Sequence, residues 1–128
     1  MSDQRSAIII DYGSETIKAG YVGGSKSAEL VFRPFISKNR DPNRAELPIK
    51  QMINTSYDQI DLQKITYKSL YERNIILHFS LLEQCNDYIF AEMVRPYRQI
   101  RSPIIISEPF GNPIHCRTSL IEQFFECY

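Results

Sequence analysis

The stretch that most constrains this chain is residues 8–24, Ile-Ile-Ile-Asp-Tyr-Gly-Ser-Glu-Thr-Ile-Lys-Ala-Gly-Tyr-Val-Gly-Gly. Three β-branched residues in succession favour a buried strand, because branching at Cβ suits the pleated backbone and disfavours the helix. The run breaks at Asp11-Tyr12-Gly13-Ser14, resumes as Thr16-Ile17-Lys18-Ala19-Gly20-Tyr21-Val22, and breaks again at Gly23-Gly24. Two strands joined by a tight polar turn read as a β-hairpin over Ile8–Asp11 and Thr16–Val22. The turn also carries chemistry. Asp11, at the end of the first strand, is a hard oxygen donor suited to a hydrated divalent cation. Gly13 and Ser14 offer backbone N–H groups where a phosphate can approach without meeting a Cβ. Lys18 adds a positive charge on the returning strand. Together they read as half of a phosphate site.

The whole-chain balance narrows the function classes. Fifteen basic and fifteen acidic residues cancel, so no global charge draws the chain to nucleic acid or an anionic membrane. The 128 residues fit one domain or a piece of a larger one, and 43% hydrophobic residues exclude wholesale disorder. Cys85, Cys116 and Cys127 are odd in number and include no Cys-x-x-Cys pair, which disfavours a disulfide framework or zinc site and favours a reducing compartment. No apolar run approaches the length of a membrane span, and residues 1–6 lack the apolar core of a signal peptide.

Beyond the hairpin, Ala28–Phe32 with Phe35-Ile36 reads as a third strand, interrupted by Arg33-Pro34. The segment from Arg33 to Arg73 holds eight basic and five acidic residues, a net +3, with Pro42 and Pro48 and no clean period. It reads as a loosely structured, solvated insertion, with one strand near Ile60–Tyr67. Ile75–Phe79 is a short apolar run. Ser80 followed by Glu83 has the form of a capping box, and Leu81, Leu82, Cys85, Tyr88, Ile89 and Met93 place one apolar stripe on a helix to about Val94. Pro96 prevents its continuation.

Ile104–Ile106 reads as a further buried strand. Asn112 as N-cap and Pro113 as first helical residue open the last helix. Its expected buried stripe is Ile114, Ile121, Phe124, Phe125 and Tyr128. Cys85 and Cys116 are expected in the core, and His78 and His115, which lack a Ser or Cys partner at telling spacing, on the surface. The apolar ending Phe-Phe-Glu-Cys-Tyr leads to the expectation of a truncated chain with an uncovered apolar edge, poorly stable and prone to associate.

Two separated motifs carry a family resemblance. Ile10-Asp11-Tyr12-Gly13-Ser14 through Lys18-Ala19-Gly20-Tyr21 resembles the first phosphate loop of the actin family, Asp-x-Gly-Ser-x-x-x-Lys-Ala-Gly-[Phe/Tyr]. Pro103 through Glu108, then Asn112-Pro113 and Phe124 through Tyr128, resembles that family's later strand–loop–helix. The resemblance covers Ile8–Phe35 and Asn74–Tyr128. Within the family, Val31-Phe32-Arg33, Leu70 through Asn74, Asp87 through Phe90 and Phe125 through Tyr128 look most like a nuclear branch whose members serve in the INO-type chromatin-remodelling complex.

The resemblance implies an α/β, actin-like (ribonuclease-H-like) ATPase fold, present incompletely. Residues 1–35 would be the first strands of subdomain 1 with phosphate loop 1. Residues 36–73 would be a divergent subdomain-2-like insertion, and 74–128 the return to subdomain 1. Gly13 and Ser14 would donate to the phosphates of ATP, Lys18 would contact them, and Asp11 would reach magnesium through water. Glu15 departs from the small or apolar residue common there and adds negative charge beside the phosphates. In the family the second phosphate loop, the adenosine-binding segments and the glutamine that positions the attacking water lie beyond Tyr128. Phosphoryl transfer depends on positioning and charge neutralisation, so a chain with half the clamp is not expected to hydrolyse ATP appreciably. The implied role is a non-catalytic nuclear subunit, with partners among the proteins of a remodelling complex, indirect contact with nucleosomal DNA and none with membrane. The alternatives are an ATPase of the actin, sugar-kinase and Hsp70 superfamily, and a cytoplasmic cytoskeletal actin relative.

Overall fold

The computed structural model describes residues 6–24, 26–39, 65–94 and 100–128. Strands β1 (Ile8–Tyr12) and β2 (Ile17–Tyr21) form the expected antiparallel hairpin, with Ile8 opposite Tyr21 and Tyr12 opposite Ile17. Strand β3 (Leu30–Phe32) adds antiparallel to β2. Strand β8 (Ile104–Ile106) adds parallel to β1, giving the sheet order β3-β2-β1-β8.

Alternation sorts the hairpin into two faces. Ile8, Ile10, Tyr12, Ile17 and Ala19 are buried, whereas Ile9 and Lys18 on the other face are exposed and Asp11 is half-buried. The inner face packs into one core with helix α1 (Phe79–Met93), through Leu81, Leu82, Cys85, Tyr88, Ile89 and Phe90. Each fully buried aliphatic side chain of this kind stabilises by about 1.5–3 kcal/mol. Phe32 meets Tyr88 edge to face, ring centroids 5.2 Å apart, and the Tyr21 hydroxyl donates to the Met93 carbonyl at 3.1 Å. The α1 stripe therefore matches the sequence period.

The third strand is two strands. Phe35 leaves β3 and begins β4 (Phe35–Asn39), which pairs antiparallel with β5 (Ile65–Ser69) in a separate two-stranded sheet. Buried Pro34 makes the break: it has no N–H for a ladder, while its carbonyl accepts from Leu70 at 3.1 Å. The expected strand near Ile60–Tyr67 is found at Ile65–Ser69, and the flanks of the segment read as loosely structured are paired strands. Residues 40–64 lie outside the described residues. Strands β6 (Tyr71–Glu72) and β7 (Ile75–Ile76) form a small hairpin whose two turn residues, Arg73 and Asn74, have φ of 51° and 64°.

Both expected helix caps differ. The Ser80–Glu83 capping box is not made: α1 begins at Phe79 after His78, with no side-chain cap bond. The Leu77 and His78 N–H groups both reach the Leu70 carbonyl, at 3.2 and 3.5 Å, and this anchor sets the first turn ahead of Ser80. Helix α2 (Ile114–Cys127) takes Pro113, not Asn112, as its N-cap. The Pro113 carbonyl accepts from Arg117 N–H, and the Asn112 amide turns to Glu108 instead.

The expected α2 stripe is corrected too. Cys116 and Leu120 are buried and Phe124 and Tyr128 half-buried, whereas Ile114, Ile121 and Phe125 are exposed, Phe125 by 86%. Apolar residues of α2 fit two lines of helical spacing, and α1 selects one. The Gln123 amide donates to the Phe79 carbonyl at 2.9 Å, the Tyr128 hydroxyl bonds Asp87 at 2.6 Å, and Phe90 lies 4.7 Å from the Tyr128 ring. The other line, with Phe124, borders an open apolar groove of about 480 Å³ beside Ile104 and Ile106 of β8. His78 and His115 are exposed as expected, and the three cysteines are free thiols, Cys85 and Cys116 buried and Cys127 exposed. Among the described residues no helix is long and apolar enough to cross a membrane.

Candidate functional site

The carboxyl ends of β1 and β8 lie side by side and point the same way, because the two strands are parallel. In open α/β sheets such ends are where ligands gather. Asp11 stands there on β1, directly opposite Lys18 on β2, so the two side chains share the sheet face turned away from the core. The structure thus brings Asp11, Lys18 and the loop carrying Gly13, Ser14 and Glu15 to one end of one hairpin.

The loop is closed tightly. A Cβ at Gly13 would lie 2.5 Å from the Thr16 carbonyl oxygen, a backbone atom with no freedom to yield. Glycine is therefore required by the turn itself, and its bare α-carbon leaves the amide edge open. Ser14 and Glu15 are exposed at the tip, and the Glu15 carboxylate adds negative charge to it.

Asp11 is held from the neighbouring strand. The Ser107 hydroxyl accepts from the Tyr12 N–H at 2.9 Å and donates to Asp11 Oδ1 at 2.8 Å. The Ser107 N–H in turn donates to the Ile10 carbonyl at 3.1 Å. Beneath the loop, the Tyr12 hydroxyl donates to Asn86 Oδ1 of α1 at 2.6 Å. Burial pushes the Tyr12 hydroxyl pKa above its ordinary value, with the Asn86 bond acting in the opposite direction. The Tyr71 hydroxyl is buried without a protein hydrogen-bond partner, and its pKa is raised first by burial and then by the charge of Asp11.

Among the described residues no three His, Cys, Asp or Glu side chains converge on one point. A lone anchored carboxylate is nevertheless the donor set that magnesium takes when it keeps most of its waters and shares phosphate oxygens, so Asp11 fits a hydrated cation. Glu108 does not join Asp11: it pairs with Arg117 at 3.0 Å and accepts from Asn112 at 3.4 Å. Sequence reasoning gave no role to Ser107 or Asn86. A hydroxyl residue directly after a β-branched triplet was the available signal for Ser107. Nothing local marked Asn86, whose partner is 74 positions away.

A family profile described as Actin matches residues 2–128. The chain belongs to the actin family. Its α/β elements and mixed sheet are those of an actin-family domain. It is 32% identical over 121 residues to actin-related protein 5 of Dictyostelium discoideum, covering 94% of this chain and 16% of that protein. An actin-like protein of Schizosaccharomyces pombe gives the same identity and shares. Actin-related protein 5 of Drosophila melanogaster is 30% identical over 139 residues, covering 97% of this chain and 21% of its own length. The chain thus spans between a sixth and about a fifth of the length of these relatives. Within the actin family, the likeness is to actin-related proteins.

Proposed function

We propose that the hairpin is the first phosphate loop of an actin-type nucleotide site, in a non-catalytic subunit of a nuclear chromatin-remodelling complex. The observation that carries the nucleotide part is the register of Asp11 against Lys18, with the Gly13 turn beside them. Gly13 and Ser14 N–H groups would donate to phosphate oxygens, Lys18 would neutralise them, and Asp11 would hold magnesium through water. Bound magnesium would supply charge neutralisation at the triphosphate. Glu15 opposes phosphate charge and weakens the affinity. Residues 1–35 and 74–128 would build the subdomain-1 part, and 36–73 the divergent insertion.

Phosphoryl transfer requires groups on both sides of the triphosphate, and the described residues supply one phosphate loop. Binding without turnover is the expected behaviour. The assembly part rests on the likeness to actin-related proteins, and on residues Leu70–Asn74 and Phe125–Tyr128, which resemble the nuclear branch. Partners would be protein subunits of the remodeller, with DNA approached through them rather than through a charge surface of this neutral chain.

Three measurements test the reading. Mg·ATP titrated into the purified 128-residue chain should bind weakly, and Lys18→Ala should remove most of that binding; equal binding by the variant overturns the site. Magnesium-dependent turnover abolished by Asp11→Ala would instead make the chain an ATPase. Affinity purification from nuclei with mass spectrometry should recover a remodeller ATPase; recovery of none overturns the assembly.

A further inference from the structure

Ser107 connects the two parallel strands at the point where the proposed cation would sit. The direction of its hydrogen bonds is fixed by chemistry. The Tyr12 N–H can only donate, so the Ser107 hydroxyl oxygen must accept from it, and the single hydroxyl hydrogen goes to Asp11 Oδ1. The chain runs one way, from amide through hydroxyl to carboxylate. A hydroxyl with a backbone donor on its oxygen is itself a stronger donor, and a bond to a charged acceptor is among the stronger kinds. The Ser107 backbone is pinned in turn by its N–H bond to the Ile10 carbonyl. One carboxylate oxygen of Asp11 is therefore tethered, which restricts its side-chain torsions and leaves Oδ2 as the oxygen that Ser107 does not engage.

We infer that Ser107 is a positioning residue: it orients Asp11 so that Oδ2 accepts from the water shell of a divalent cation carried by a nucleoside triphosphate. This rests on the phosphate-loop reading of the hairpin. Ser107 does not touch the ligand. Its effect reaches the ligand only through the carboxylate, in the way that partners of metal ligands tune affinity elsewhere by about 10- to 100-fold. Other polar groups near Asp11 lack this geometry: the buried Tyr71 hydroxyl has no hydrogen-bond partner among the described residues, and Lys18 sits opposite on β2.

The experiment separates positioning from folding and from the loop reading itself. ATP is titrated into the 128-residue chain with magnesium and with EDTA, for the parent, Ser107→Ala, Ser107→Thr and Asp11→Asn. Amide exchange at Tyr12 is followed in parallel. Ser107→Ala should lose about tenfold in Mg·ATP affinity and less than twofold for metal-free ATP, approaching Asp11→Asn. Ser107→Thr, which keeps the hydroxyl, should restore parent affinity and parent protection of the Tyr12 amide. Loss of metal-free and Mg·ATP binding in equal proportion makes Ser107 merely structural and overturns the inference. So does parent-like magnesium dependence in Ser107→Ala. Failure of the parent to bind nucleotide in either condition overturns the loop reading, and the inference with it.

Discussion

The Tyr12 hydroxyl donates a 2.6 Å hydrogen bond to Asn86 Oδ1, joining the residue that precedes the Gly13 turn to the middle of helix α1. Both side chains are buried, Asn86 completely. A strand residue that faces the core beside the loop thus carries a polar atom inward and finds its acceptor on the covering helix. The Asn86 amide nitrogen is buried without a partner, so the pair is only partly satisfied.

Removing one partner of this pair is expected to cost more than removing both. Tyr12→Phe leaves Asn86 with both amide atoms unpaired and should destabilise by about 1–3 kcal/mol. Asn86→Leu leaves the Tyr12 hydroxyl stranded but removes the unpaired nitrogen. The double variant should be clearly more stable than the sum of the single losses predicts, because an apolar pair leaves no orphan. Urea unfolding of the four proteins measures the coupling. Strict additivity would mean that the bond contributes nothing.

The β6–β7 turn stores strain that substitution should relieve. Arg73 and Asn74 both hold positive φ, the form of a type I′ turn, and arginine has no special tolerance for it. Replacing the pair with Asn-Gly should stabilise by about 1 kcal/mol, since a left-handed conformation costs a non-glycine residue roughly that much. The thermal midpoint should rise. A fall would show that the Arg73 side chain makes a contact worth more than the strain.

The hairpin was legible in sequence because its signals are local: a β-branched triplet, a glycine turn, and alternation that puts Asp11 and Lys18 on one face. The α1 stripe was legible because a buried helix leaves one period in the apolar residues. The misses share a cause in tertiary competition. Ser80 and Asn112 are good caps in isolation, but the Leu70 carbonyl and Pro113 set the helix starts. The apolar residues of α2 describe two lines, and only the position of α1 chooses between them. Ser107 and Asn86 act on residues more than seventy positions away, a distance over which a single sequence carries no periodic signal.

Alkaline pH should destabilise this protein. Burial pushes the Cys85 thiol from its ordinary 9.0 up to about 12. The unfolded chain therefore releases this proton first and binds fewer protons than the native state across that interval, so stability is full below pH 9 and falls toward pH 12. Buried Tyr12, also raised, adds to the loss above pH 10. The slope from one such group is at most about 1.4 kcal/mol per pH unit. Urea midpoints measured between pH 7 and 11 should be level and then decline, and Cys85→Ala should decline less steeply from a lower start. A midpoint that rises above pH 9 would contradict the burial of these groups.

The two lines of α2 can be told apart by substitution. Leu120 is 3% exposed and Phe125 is 86% exposed, so the same helix carries a core anchor and, five residues on, a bare aromatic. Leu120→Ala should cost about 2–5 kcal/mol through lost burial and a residual cavity. Phe125→Ser should stay within about 0.5 kcal/mol, as surface changes do. It should also act on association: Phe125 borders the apolar groove beside β8, and exposed apolar surface of that kind draws chains together. Sedimentation velocity over a range of concentrations should show less self-association for Phe125→Ser than for the parent, with the unfolding midpoint unmoved. If Phe125→Ser instead destabilises as much as Leu120→Ala, the Ile121–Phe125 line is the buried one, and α2 is rotated about its axis from the arrangement described.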